Sequence, residues 1–307
     1  MFHPSSPLDA LRAALPAVAI RFADGSDPAQ AAALARGADL ALVFATQWSA
    51  ESRDLPDMRL PDGQDALIEA VAAANPHTAV VLETNGPVRL PWLRQVPALL
   101  QAWYPGSGGG PAIARVLTGQ VDASGRLPVS WPVDESQLPR PTIPGLDYKP
   151  DAGMPAPVFD YGIEGANVGY RWFAMRGLVP AFPFGHGLSY THFEYGPLTV
   201  QRHGRQVTTR FTVRNTGMRA GTAIPQLYVH MPEGHAVPLR LAGWQRVELQ
   251  PGQSREVTVT AEPRTLAEFD TRTRQWRIPA GTYRLALARS ATDVVAEAPL
   301  LLAEQTF

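Results

Sequence analysis

The stretch Ala38-Asp39-Leu40-Ala41-Leu42-Val43-Phe44-Ala45 decides the fold. It is an almost unbroken apolar run, and strands of that kind are covered on both faces, as in parallel sheets. On its N-terminal side, Asp27-Pro28 opens an Ala-rich helix that stops at Gly37. Further upstream, Ser6-Pro7-Leu8-Asp9 opens another, with Pro at the first helical position and Leu8, Leu11 and Leu15 at helical spacing. Between these helices, residues 17–22 read as a short apolar strand closed by Asp24-Gly25. On the C-terminal side, residues 62–75 form a helical pattern with Leu67, Ile68 and Val71 on one face, ended by Pro76. Thr78 to Glu83 is a second buried strand, residues 98–103 a third, and residues 111–118 a short helix. Strands alternating with helices predict an α/β layered sandwich domain with a mostly parallel sheet and right-handed crossovers.

Beyond this domain the pattern changes twice. Prolines from Pro132 to Pro157 interrupt any ladder, so this stretch reads as an ordered connection. After Tyr195 the period becomes two. Val207, Thr209, Phe211 and Val213 point one way, Thr208, Arg210, Thr212 and Arg214 the other. Gln226 to Val229, residues 255–259 and residues 283–288 repeat the alternation, with turns at Asn215-Thr216-Gly217 and Pro251-Gly252. This predicts an all-β sandwich of immunoglobulin or fibronectin-III type. The expected boundaries are 1–131 for the α/β domain, 132–194 for the connection and inter-domain seam, and 195–307 for the sandwich.

Composition fits two globular domains: 307 residues, 45% hydrophobic, 18% charged. With 27 basic and 28 acidic side chains, a net charge of −1 gives no electrostatic reason to expect nucleic acid or an anionic membrane as partner. No apolar run is long enough to span a bilayer. The absence of Cys excludes a disulfide framework and a Cys-based zinc site and leaves the compartment unassigned. The first 25 residues lack a basic cluster ahead of their apolar run, so they read as folded domain rather than as a signal peptide.

Ligands of open α/β sheets bind beyond the carboxyl ends of the strands. There the chain reads Thr46-Gln47-Trp48-Ser49-Ala50-Glu51-Ser52-Arg53-Asp54-Leu55-Pro56-Asp57. A carboxyl group beside an aromatic suits a general acid, because desolvation favours its neutral form. Spacing alone favours the plainer alternative that Glu51, Asp54 and Asp57 are solvated loop residues. Gly106-Ser107-Gly108-Gly109-Gly110 precedes a helix but lacks the Lys and Ser/Thr of a phosphate loop, so it reads as a turn allowing close backbone approach. His230 and His235 lack a third ligand and read as a solvated pair. His186, Tyr170, Arg171 and Trp172 read as seam residues between the domains, Phe269 and Trp276 as sandwich core.

The run from Ala38 to Asn75 resembles the C-terminal domain of family 3 glycoside hydrolases, the β-glucosidase group. Ala50-Glu51-Ser52-Arg53-Asp54, Met58-Arg59-Leu60-Pro61 and Gln64 match its motifs in order. So do Asn85-Gly86-Pro87-Val88, Trp103-Tyr104-Pro105-Gly106 and Gly125-Arg126-Leu127-Pro128-Val129-Ser130-Trp131-Pro132. Val168-Gly169-Tyr170-Arg171-Trp172-Phe173 and Pro183-Phe184-Gly185-His186-Gly187-Leu188-Ser189-Tyr190-Thr191 follow, and the tail resembles the family's fibronectin-III-like module. Two positions depart from the pattern: Ser52 replaces a Gly and Leu55 an Arg.

The resemblance implies that Glu51 is the acid/base of a retaining β-glucosidase. It also implies that Asp54 orients the loop or a substrate hydroxyl, that Trp48 stacks on a sugar ring, and that neither cofactor nor metal is needed. Retaining hydrolysis needs two carboxyls about 5 Å apart. The family's nucleophile is an Asp in a Ser-Asp-Trp-like motif on a preceding TIM barrel, and that motif is absent from this sequence. The expectation is therefore the C-terminal part of such an enzyme, acting on a β-glucoside or oligosaccharide with a separate TIM-barrel half and inactive alone. The alternative is a non-catalytic carbohydrate-binding or interaction module, or the remnant of a truncated gene. A vacated sheet position and barrel-facing surface would favour self-association.

Overall fold

The computed structural model describes residues 4–51, 55–146 and 153–307. Contacts divide the chain into two units: Met1–Val121 with Pro132–Phe159, and Asp122–Trp131 with Asp160–Phe307. Set beside the expected 1–131, 132–194 and 195–307, the units exchange segments: most of the Pro-rich stretch goes with the first, and residues 122–131 with the second.

In the first unit, α1 (Pro7–Ala14) starts where the Ser6 hydroxyl accepts the Asp9 N–H, and α2 (Pro28–Arg36) where the Asp27 carboxylate accepts those of Ala29 and Gln30. Each carries Pro in its first turn, where no donor is lost. Then follow β1 (Ala41–Thr46), α3 (Gln64–Ala74), β2 (Thr78–Glu83), β3 (Ala98–Gln101) and α4 (Gly109–Leu117). The three strands are parallel in the order β1-β2-β3. Val80, Val81 and Leu82 are all fully buried. Successive strand residues face opposite sides, so both faces of β2 are covered. Asn75 closes the end of α3. Its side chain donates to the carbonyls of Ala35 and Ala38 and accepts the His77 N–H. Trp92 is fully buried and its indole N–H donates to Asp65 at 2.8 Å; burial pushes the Asp65 carboxyl up against the pull of that bond. The Gly-rich run is a close approach, as read. A Cβ on Gly110 would stand 2.7 Å from the Ser6 carbonyl oxygen, and its N–H donates to the Ser5 hydroxyl.

Residues 17–22 form no strand. Val18 and Phe22 are exposed, no neighbouring strand supplies a ladder, and the segment is tied down by a turn from Leu15 and by Arg21, which donates to the Gly37 carbonyl. An apolar run gains little from extended conformation without a partner.

The second unit contains α5 (Tyr170–Arg176) and thirteen strands: β4 (Phe193–Tyr195), β5 (Thr199–His203), β6 (Gln206–Asn215), β7 (Gly221–Ala223), β8 (Gln226–His230), β9 (Leu239–Trp244), β10 (Val247–Leu249), β11 (Ser254–Ala261), β12 (Glu268–Asp270), β13 (Gln275–Ile278), β14 (Gly281–Ala288), β15 (Val294–Leu302) and β16 (Gln305–Thr306). One main sheet runs β11-β6-β4 with β5 also on β6, the other β15-β14-β8-β9, all antiparallel. Phe211 and Val213 from one sheet and Leu227, Val229, Leu285 and Leu287 from the other make the shared core.

Three readings are corrected here. Gln226, Leu227, Tyr228 and Val229 do not alternate; all four are buried, because the outer face of β8 is covered as well. Tyr170 and Phe184 pack on Tyr228 there, and the Tyr170 hydroxyl accepts the Leu241 N–H. The tyrosine thus belongs to the second unit's own packing. Phe269 is exposed rather than core and lies edge-on to Trp276. His230 and His235 are not a solvated pair: His235 is bound to Glu268 at 2.9 Å, and His230 is half-buried at the end of β8.

Segment 122–131 joins the second unit by hydrogen bonding. Asp122 accepts from the Ser189 hydroxyl and from the N–H groups of Tyr190 and Thr222. Leu127 exchanges backbone bonds with Gly185 and His186.

Candidate functional site

The site is built where three parallel strands end. Gln47 to Leu60 follows β1, Thr84 to Pro87 follows β2, and Trp103 to Gly106 follows β3. Gln64, at the start of α3, fixes the exit of β1. Its Oε1 accepts the Thr46 N–H at 2.7 Å, and its Nε2 donates to the carbonyls of Thr46 and Pro61. Trp103 turns the chain at a φ of 56°, a left-handed conformation costly for a bulky residue. The next residue, Tyr104, donates its hydroxyl to the Gln47 carbonyl and accepts the Ser49 N–H at 2.9 Å. Its one proton is thereby used, so the Ser49 hydroxyl, 3.2 Å away, donates to it.

Glu135 holds the far end of the loop. Oε1 accepts the Met58 N–H at 2.8 Å, while Oε2 accepts Nε and Nη2 of Arg89, each at 2.6 Å. The Arg89 N–H in turn donates to the Met58 carbonyl at 2.7 Å. Burial pushes the Glu135 carboxyl up, but the backbone donors and Arg89 outweigh it and hold it below its usual range. Asp57 is held down by its hydrogen bonds to Arg59. Glu83, the last residue of β2, is pushed up by burial.

A cleft of about 340 Å³ opens beside the loop, walled by Gln47, Ser49, Asp57, Asn85, Glu135 and Ile143 among others. Ala50 and Leu55 also line it, flanking the segment that carries Glu51. Glu51 and Trp48 are exposed, Trp48 at 68%. Asp54 lies outside the described residues. Among the described residues lining the cleft, the carboxylates Asp57 and Glu135 are each paired with an arginine. Among the described residues no group of three or more acidic or histidine side chains is arranged to hold a metal ion, and no helix is long and apolar enough to cross a membrane.

The sequence reading named Glu51, Trp48 and Asp54 as candidates but gave no role to Tyr104, Gln64, Arg89 or Glu135. Tyr104 and Gln64 stand inside quoted motifs, which was a usable signal. Arg89 and Glu135 are 46 residues apart with no periodicity joining them.

A parallel α/β layer with its polar loops at the strand ends, followed by an antiparallel sandwich, is the class of protein defined so far. The comparisons give the family. Residues 2–190 match the glycosyl hydrolase family 3 C-terminal domain and residues 223–291 the fibronectin type III-like domain. The chain belongs to glycosyl hydrolase family 3. It is 40% identical to a β-glucosidase of Rhizobium radiobacter, over 89% of this chain and 34% of that protein. It is 35% identical to the thermostable β-glucosidase B of Acetivibrio thermocellus, over 85% of this chain and 35% of that protein. Among solved structures, a β-glucosidase of Streptomyces venezuelae in complex with D-glucose superposes with a TM-score of 0.79 at 37% identity, covering 90% of this chain and 35% of that one. The chain thus spans about a third of the length of these relatives.

Proposed function

We propose that this chain supplies the proton donor of a retaining β-glucosidase, with Glu51 as acid/base. The observation that carries the reading is the exposed Glu51 on the β1 exit loop, beside the exposed Trp48, in a chain of this family. In the first step Glu51 protonates the glycosidic oxygen while a carboxylate from a separate TIM-barrel half attacks the anomeric carbon, giving a glycosyl ester and free aglycone. In the second, ionised Glu51 takes a proton from water, whose oxygen displaces the ester and releases the sugar. Trp48 stacks on the sugar and Asp54 orients the loop or a hydroxyl. The arginine-paired state of Asp57 and Glu135 supports a nucleophile from outside this chain.

The test is hydrolysis of an alkyl and an activated aryl β-glucoside by the purified chain, alone and mixed with a family 3 barrel half. The expected result is no turnover alone and turnover in the mixture. Glu51→Gln then lowers the alkyl rate at least about 100-fold and spares formation of the glycosyl ester from the activated substrate. Turnover by the chain alone, or an unaffected Glu51→Gln mixture, overturns the reading.

A second reading, favoured by the exposure of Trp48, is sugar binding without chemistry. In that case Trp48→Ala abolishes glucoside binding, Glu51→Gln leaves it intact, and no barrel half restores turnover. The outer edge of β1, which pairs with no other strand among the described residues, supports docking of a barrel half or of a second copy; light scattering across a concentration series measures the latter.

A further inference from the structure

We propose that Tyr104 and Glu135 are positioning residues for Glu51, fixing the two ends of the loop that carries it. The inference rests on the reading of Glu51 as acid/base and adds to it how that side chain is aimed.

The loop leaves β1 at Gln47 and rejoins regular structure at α3. A connection of that length is expensive to order, because each residue confined to one backbone conformation gives up about 1–2 kcal/mol. General-acid catalysis tolerates little disorder, since a misplacement of about 1 Å costs on the order of 100-fold in rate. The chain therefore needs fixed points on both sides of Glu51, and it has them. Upstream, one phenol oxygen gathers the Gln47 carbonyl, the Ser49 N–H and the Ser49 hydroxyl. Tyr104 is half exposed, so packing alone does not account for its placement. Its backbone follows the strained Trp103, and strain of this kind persists where the surroundings enforce it. Downstream, Glu135 accepts the Met58 N–H, and Arg89 binds both that carboxylate and the Met58 carbonyl. Both anchors are remote in sequence from the loop, by 55 and 77 residues, so neither is a by-product of local turn formation. Both act on backbone groups of the loop, at Ser49 on one side of Glu51 and at Met58 on the other.

The experiment has two readouts on the full-length chain. The first is amide hydrogen exchange. Tyr104→Phe keeps the ring and deletes the hydroxyl; Ser49 N–H exchange is expected to rise about tenfold with Met58 unchanged. Glu135→Gln keeps an acceptor but loses the charge pairing with Arg89; Met58 exchange is expected to rise about threefold with Ser49 unchanged. The second is the leaving-group split in the mixture with the barrel half. Each variant lowers kcat for the alkyl glucoside about tenfold at unchanged KM and leaves ester formation from the activated aryl glucoside within about twofold. A purely structural role would lower both rates together.

Unchanged exchange at both amides overturns the proposal. So does faster exchange without a leaving-group split, while a split in Glu51→Gln keeps the acid/base reading standing. If Glu51→Gln shows no split, the acid/base reading fails and positioning fails with it, whatever the amides show.

Discussion

Two glutamines, one in each unit, use their polar groups differently. Gln226, at the start of β8, is satisfied at both ends: Nε2 donates to the carbonyls of Gly185 and Arg289, and Oε1 accepts the Tyr228 hydroxyl at 2.6 Å. Gln101, at the end of β3, donates to the Thr84 carbonyl and hydroxyl at 3.2 Å each, and its Oε1 is buried without a partner. Around Gln226 the polar network is closed, and closed networks in a low-dielectric interior fix a single arrangement. Gln101 leaves an oxygen unsettled at the end of β3, where ligands of such sheets bind. The contrast is one of these two side chains, since Asn167 in the second unit also keeps a buried Oδ1 without a partner.

The sharpest way to break this comparison is to substitute both glutamines. Gln226→Leu orphans two carbonyls and a buried hydroxyl, and urea unfolding is expected to register a loss of about 3 kcal/mol. Gln101→Leu removes an already orphaned oxygen along with two long bonds, and should stay within about 1 kcal/mol of the wild type. Equal losses would mean that the two networks are equivalent.

Next in size is a pair of left-handed glycines. Gly185 has φ +80°, and a Cβ there would fall 2.0 Å from the Gln226 Oε1. Gly185→Ala should cost about 2 kcal/mol and loosen the Gln226 bonds as well. Gly63 has φ +72° with open space around it, and Gly63→Ala should cost only the backbone strain, about 1 kcal/mol. Thermal midpoints of the two variants measure the difference.

The smallest expected effect is on pH dependence. Burial, followed by the nearby Arg126, holds the His186 imidazole below its ordinary 6.5. The folded state therefore resists a proton that the unfolded state accepts, so this contribution to stability is present above pH 6.5 and is lost as pH falls through that value. His186→Phe keeps the stacking on Phe182 and should flatten part of the fall in urea midpoint between pH 7 and pH 5. An identical pH profile in the variant would remove His186 from the account. His230, depressed first by burial and then by Arg284, retains its share of the slope.

Much of the architecture was legible because its determinants are local. The caps at Ser6 and Asp27, the runs at β1 and β2, and the strict alternation of β6 each act within a few residues. The misreadings share a different cause. Residues 17–22 have strand composition but no ladder partner, and partnership is not written in a single segment. Gln226 to Val229 reads as alternating until α5 and the Phe184 turn cover its second face. The candidate site divides the same way. Glu51, Asp54 and Trp48 became candidates because they share one loop, in which Glu51 and Asp54 stand in a family motif. Tyr104, Arg89 and Glu135 act on that loop from far along the chain, and nothing in the spacing of residues announces such a reach.

The amide of Gln64 has a final consequence. In β1 the N–H groups of Ala41 and Gln47 face β2, so those of Leu42, Phe44 and Thr46 face the outer edge. Gln64 already occupies both backbone groups of Thr46, as an intruding strand would. A visiting chain therefore finds only a two-rung foothold at Leu42 and Phe44 before it meets a plug. Removing the plug, as in Gln64→Ala, would lengthen the foothold and free the exit of the Glu51 loop together, so resistance to unwanted pairing and the anchoring of that loop hang on one side chain.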